Sequence, residues 1–167
     1  MKTNSIWHIG ITVSDIDRSI DFYTKCFDMK LRHRQTQSNE YSRALVGYPD
    51  ANFEIAQLDF TFADAPPSGH VLELVYYDRP KDEELETRNA QPGAMHIAFH
   101  TNDIFESITK LVALGATLTS EPQAITAGIN SGGYAVYLRD PDNVPLELVQ
   151  PPAVRIVEPT QNAVGGK

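Results

Sequence analysis

The chain repeats itself, and a repeat obliges two distant stretches to adopt one local structure. Setting His8 on His96, an offset of 88, also matches Ile9 with Ile97, Asp15 with Asp103, Ile16 with Ile104, Ser19 with Ser107 and Ile20 with Ile108. Six of thirteen positions agree, where unrelated segments give about one. A second match closes each half: Leu72-Glu73-Leu74-Val75 against Leu146-Glu147-Leu148-Val149. The chain therefore reads as a duplicated unit, with one module at 5–79, a charged linker at 80–92, a second module at 93–151 and a tail at 152–167. A length of 167 residues suits two small modules that share their apolar surface.

Each unit opens with a strand. Trp7, Ile9, Ile11 and Val13 fall on one face of the first and His8, Gly10 and Thr12 on the other, by the two-residue period of extended chain. Met95, Ile97 and Phe99 alternate in the same way with His96, Ala98 and His100. A helix follows each strand. Ile16, Ile20, Tyr23 and Phe27 form the apolar stripe of the first, with Ser14 and Asp17 as a capping box. Ile104, Ile108, Leu111 and Val112 form the second stripe, and Gly115 suits a left-handed C-cap where the first unit has Asp28. Further strands are expected at about 42–47, 53–60, 70–77, 117–119, 133–138 and 145–149. The glycine-bearing segment 121–133 reads as a loop over a site, and the Pro- and Gly-containing tail as an arm.

The formal charge of −8 comes without any cluster of Lys or Arg, which argues against nucleic acid as a partner. No apolar run approaches the roughly 20 residues that cross a bilayer, and MKTNSIWHIG lacks the apolar core of a secretion signal. Cys26 is the single cysteine, so no internal disulfide forms and a reducing, cytoplasmic setting is expected.

The duplicated pairs carry the chemistry. One strand His and one strand Glu alone are ordinary solvated residues, but independent surface residues have no reason to recur together in both halves of a diverged repeat. If the modules pack about an approximate two-fold axis, His8, Glu73, His96 and Glu147 converge as four ligands. Imidazole nitrogen and carboxylate oxygen suit one divalent ion such as Zn, Ni, Co, Mn or Fe(II), and an octahedral ion would keep two positions for substrate oxygens.

The stretch His8-Ile9-Gly10-Ile11-Thr12-Val13, with Ser19, Phe22-Tyr23 and Phe27-Asp28-Met29, resembles the opening signature of the vicinal oxygen chelate superfamily, the group of glyoxalase I, bleomycin resistance proteins and extradiol dioxygenases. Asp140-Pro141-Asp142-Asn143 ahead of Leu146-Glu147 resembles its closing turn and last ligand. The resemblance covers about 6–150 and departs at Asp28 and Asn143-Val144, where the family favours glycine. It implies an α+β fold of two paired βαβββ modules forming a half-open barrel around one metal. A four-ligand set implies a glyoxalase-type lyase, isomerase or epimerase that moves a proton beside a carbonyl through a metal-stabilised enediolate. By the same resemblance Glu147, rather than Glu73, is the expected base; His100, two residues beyond His96 on the same strand face, reads as a proton carrier.

Two alternatives stay open: an Fe(II) extradiol-type dioxygenase, whose members use two His and one Glu, and a non-catalytic binder of small molecules such as antibiotics. Thiol transferases of the fosfomycin type resemble this chain less, having His where it has Glu73. The expected partners are a small-molecule substrate and a second copy of the chain in a homodimer, with the modules pairing either within one chain or across the dimer. Tyr77 and Tyr134 are candidate donors to substrate oxygens, and Arg43 and Arg139 candidate holders of a substrate anion.

Overall fold

The computed structural model describes residues 7–60 and 71–153. Among these residues the chain forms a mixed α+β fold of two sheets and three helices. The first sheet contains β1 (Ile9–Thr12), β2 (Met29–Gln37), β3 (Asn52–Phe60) and β4 (Leu72–Arg79) in the order β1-β4-β3-β2. The second contains β5 (Ile97–His100), β6 (Thr117–Leu118), β7 (Gln123–Ala124), β8 (Tyr134–Arg139) and β9 (Pro145–Gln150), ordered β5-β9-β8-β6 with β7 also on β8. Helix α1 (Ile16–Phe27) follows β1, α2 (Glu40–Val46) joins β2 to β3, and α3 (Ile104–Ala113) follows β5. Among the described residues the sheets share no ladder, so no closed barrel forms.

The repeat holds at the level of register. Parallel pairing sets Ile9 against Leu72 and Gly10 against Glu73, and it sets Ile97 against Leu146 and Ala98 against Glu147. In both sheets the leucines around the glutamate point into the core: Leu72, Leu74, Leu146 and Leu148 are at most 1% exposed. The glutamates consequently share the opposite face with the histidines.

One apolar cluster spans both modules. Phe27 of α1 stacks on Phe99 of β5, ring centroids 3.8 Å apart, with Tyr23 and Phe60 also against Phe99. Burying each such side chain contributes about 1.5–3 kcal/mol, so the modules are welded along their helix-bearing faces. The site faces of both sheets lie on the other side.

Several expectations need correction. The stretch 42–47 is not a strand but most of α2 with its C-cap: the Asn39 side chain accepts from Ser42 N at 2.8 Å, Gly47 ends the helix at φ 78°, and these two caps outweigh the apolar run. The first unit is thus strand, helix, strand, helix, strand, strand. Strand β2 was missed because MKLRHRQTQ is almost wholly exposed on the sheet edge and shows no apolar alternation. Asp15, not Ser14, caps α1 by accepting from Arg18 N at 3.0 Å; Ser14 instead donates to Asp142 of the other module. Trp7 and Met95 leave the apolar face and are 60% and 68% exposed. The predicted strand at 70–77 starts at Leu72, residue 70 being outside the described residues.

The positions where family glycines were expected now have a reason. Asp28 has φ 53° and Asn143 φ 63°, left-handed conformations that glycine takes freely and Asp or Asn tolerate best among the rest. Gly133 answers a different need, since a Cβ there would lie 2.2 Å from the Gln150 carbonyl oxygen.

Candidate metal centre

His8 lies two residues before Gly10, which is paired with Glu73, so the two side chains meet on one face. His8 Nε2 stands 3.6 Å from Glu73 Oε1. The second module repeats the arrangement, with His96 Nε2 at 3.2 Å from Glu147 Oε2. Metal–ligand bonds of about 2.0–2.2 Å set at right angles leave their ligand atoms about 3 Å apart. Each His/Glu pair has the spacing of two adjacent ligands on one divalent ion, and the donor set fits such an ion.

The pairs remain separate within one chain. Among the described residues no group of three or more His, Cys, Asp or Glu lies within reach of a single ion. Each module carries one His/Glu pair.

The neighbours of the two pairs differ. Gln57 of β3 is directly across from Glu73, and its Nε2 donates to Glu73 Oε2 at 3.4 Å. The equivalent place across from Glu147 is Tyr137 of β8, whose ring meets His96 edge-on at 5.1 Å. Burial, then the Glu147 charge, raises the Tyr137 hydroxyl above its ordinary value, so it stays a donor. Neither Gln57 nor Tyr137 was singled out from the sequence. Counting back evenly from the 140–144 turn would have found Tyr137, because a hairpin pairs 139 with 145 and 137 with 147.

The remaining candidates sort as follows. Tyr77 shares the face of Glu73 and packs on Phe53 at 5.2 Å and Tyr48 at 6.2 Å; burial and then Tyr48 raise its hydroxyl. Tyr134 turns the other way, onto Phe105 of α3 at 5.4 Å, away from the glutamate. Arg43 Nε donates to the Ala51 carbonyl. Arg139 donates to Thr87 Oγ1 and O, Asn89 Oδ1 and the Asn143 carbonyl, which fastens the linker to the β8–β9 turn. His100 is exposed at the end of β5, about 6–7 Å along the strand from His96 on the same face.

A polar seam fixes the modules beside this chemistry. Tyr23 donates to Asp140 Oδ2 at 2.8 Å inside the core. Asp142 Oδ1 accepts from Ser14 N and from Arg18 Nη2 at 2.6 Å, while Oδ2 accepts from Ser19. Burial raises the Asp140 carboxyl above its usual range. At Asp142 burial pulls in the same direction, but hydrogen bonds from Ser14 and Arg18 prevail and hold it below. A cavity of about 800 Å³ opens along this junction, bounded by Gly10 and Thr12 of β1, Tyr77, the linker around Leu85, and Met95-His96.

A two-sheet fold with duplicated His-strand and Glu-strand pairs defines a class of paired-module proteins, and the comparisons resolve which. The chain belongs to the Glyoxalase/Bleomycin resistance protein/Dioxygenase superfamily, whose model matches residues 5–148. It is 30% identical over 144 residues to a lactoylglutathione lyase of Arabidopsis thaliana, covering 86% of this chain but 43% of that protein, so the chain spans under half the length of that relative. A 2-epi-5-epi-valiolone epimerase of Actinomyces is 29% identical over 153 residues, covering 89% and 80% of the two chains. Among solved structures, a glyoxalase family protein of Bacillus cereus superposes with a TM-score of 0.69 at 21% identity, over 92% of this chain and 99% of that one.

Proposed function

We propose that this protein is a divalent-metal-dependent enzyme that moves a proton beside a carbonyl group, with His8, Glu73, His96 and Glu147 as the metal ligands. The observation that carries the reading is the matched pair of contacts, 3.6 Å in one module and 3.2 Å in the other, at identical positions of two duplicated sheets. A dioxygenase set of two His and one Glu leaves the fourth residue without a reason to sit in that register. Relatives named as a lyase and an epimerase point the same way.

Because each module presents half of the set, the complete site is assembled between two copies, His8 and Glu73 of one facing His96 and Glu147 of the other. Trp7 and Met95, equivalent by the repeat and both exposed beside their histidines, are the apolar residues that such a contact would cover. When bound, the ion would stabilise negative charge that develops on the substrate's oxygen.

The chain's own residues then divide the work. Glu73, already held by Gln57, fixes geometry. Glu147 has His96 beside it and a phenol across the strand, so its carboxylate is the base. It takes the proton from the carbon next to the carbonyl, the C–H electron pair becomes a C=C bond, and the carbonyl oxygen takes up the charge. Return of a proton to the opposite face of that carbon, from an acid other than Glu147, inverts it; in an α-hydroxy carbonyl compound, delivery to the former carbonyl carbon isomerises it, the hydroxyl proton passing to the old carbonyl oxygen as the new C=O forms. Tyr137 orients the His96 ring, and His100 exchanges protons with solvent.

The test is to strip the full-length protein with a chelator, reload it with each divalent ion, and follow deuterium uptake beside the carbonyl of a panel of hydroxyketones by NMR. Exchange that requires the ion and disappears in Glu147→Gln is expected. A protein that takes up no metal and whose Glu147→Gln form behaves like the parent contradicts the reading.

A further inference from the structure

Resting on the proton-transfer reading, we propose that the site selects an uncharged carbonyl compound, one without carboxylate or phosphate groups, and that Asp59 enforces the selection by occupying Arg32. A β-bulge between Leu31 and His33 places Arg32 out of step with its strand. Bulges re-aim side chains, and this one turns Arg32 toward Asp59, with Nη1 at 3.3 Å from Oδ2. Asp59 is 7% exposed and lies two residues from Gln57 on the same face, about 6–7 Å from the side chain that holds Glu73. Lys30 stands across the ladder from the same carboxylate. Near the first pair Arg32 is thus already matched, and Lys30 faces the same carboxylate.

The second module repeats the outcome by other means. Arg139, on the face of Tyr137 and Glu147, spends four hydrogen bonds on the linker and the turn. In the junction cavity Arg18 is held by Asp142, and Lys81 lies over the Tyr76 ring and donates to its hydroxyl. The linker adds Asp82, Glu83 and Glu84 to the same walls, leaving the cavity net acidic beside aromatic Tyr48 and Tyr77. An anionic ligand would have to break these pairs or leave its own charge unmatched in a partly desolvated cleft. A neutral ligand faces neither penalty.

The experiment uses the metal-loaded full chain and S-methylglutathione, a probe that carries two carboxylates, in titration calorimetry. The parent is expected to show no saturable binding, and proton exchange should run at least about tenfold faster on neutral hydroxyketones than on the glutathione–methylglyoxal adduct. Asp59→Asn, which releases Arg32, should tighten S-methylglutathione at least about fivefold over the parent. Because Asp59 is buried, Glu83→Gln with Glu84→Gln, both on the exposed linker, serves as a second variant and should move binding in the same direction. Saturable binding by the parent, faster turnover of the adduct, or no gain in the linker variant would overturn the proposal. Absence of exchange on every substrate with normal metal uptake would instead count against the proposed function, while the calorimetry still decides the charge question.

Discussion

The two His/Glu pairs occupy equivalent positions in equivalent sheets, yet their cross-strand neighbours differ. Around Glu73 the cross-strand partner is an amide that donates to it; around Glu147 it is a phenol packed on the neighbouring histidine. Duplication preserved the two His/Glu pairs and diverged the residues beside them. The lesson is that in a symmetric scaffold, function is assigned by the asymmetric neighbours.

The comparison can be broken directly. Glu147→Gln is expected to lower kcat by about 10³, the scale of losing a general base, whereas Glu73→Gln should act mainly by weakening metal binding, with lost kcat restored at high metal concentration. Steady-state kinetics against metal concentration separates the two, and equal behaviour would erase the distinction. Exchanging the neighbours is a gentler probe. Tyr137→Leu should lower metal affinity by about tenfold, because His96 loses the ring that orients it, while Tyr137→Phe keeps most of the affinity; competition with a chromogenic chelator reads this. Gln57→Leu should narrow the gap by loosening Glu73.

The seam between the modules supplies the smallest effect. The folded-state pKa of Asp142 lies below its unfolded value, so its contribution is present above the ordinary carboxylate range near 3.9 and is lost as pH falls through the folded value. Asp142→Asn should therefore cost about 1–2 kcal/mol at pH 7 and progressively less toward pH 3. Asp140, whose pKa is raised by burial, has the opposite sign and gains stability as pH falls. Thermal melts across pH on the single variants test both slopes.

Much of the fold was legible because it was written twice. The His8/His96 and Glu73/Glu147 matches correspond to one register in both sheets, and the period-2 alternation put the leucines beside each glutamate inward, as found. What escaped lay where the modules differ or where burial gives no signal. Strand β2 is an exposed edge with polar residues on both faces, and α2 is a seven-residue helix whose caps are its clearest mark. Gln57 and Tyr137 were hidden for a related reason: cross-strand partnership depends on register, which a single strand does not contain. How the two pairs would combine could not be read either, since a repeat defines equivalent positions and says nothing about which copy supplies the complement.

Mixing inactive variants tests that last point most directly. His8→Ala and Glu147→Gln are each inactive as homodimers if all four residues are needed. Unfolded together and refolded as a mixture, they should form heterodimers in which one site receives both substitutions and the other receives none, restoring about a quarter of the parent's activity. If each chain instead builds its own site, every site carries one defect, and the mixture stays inactive.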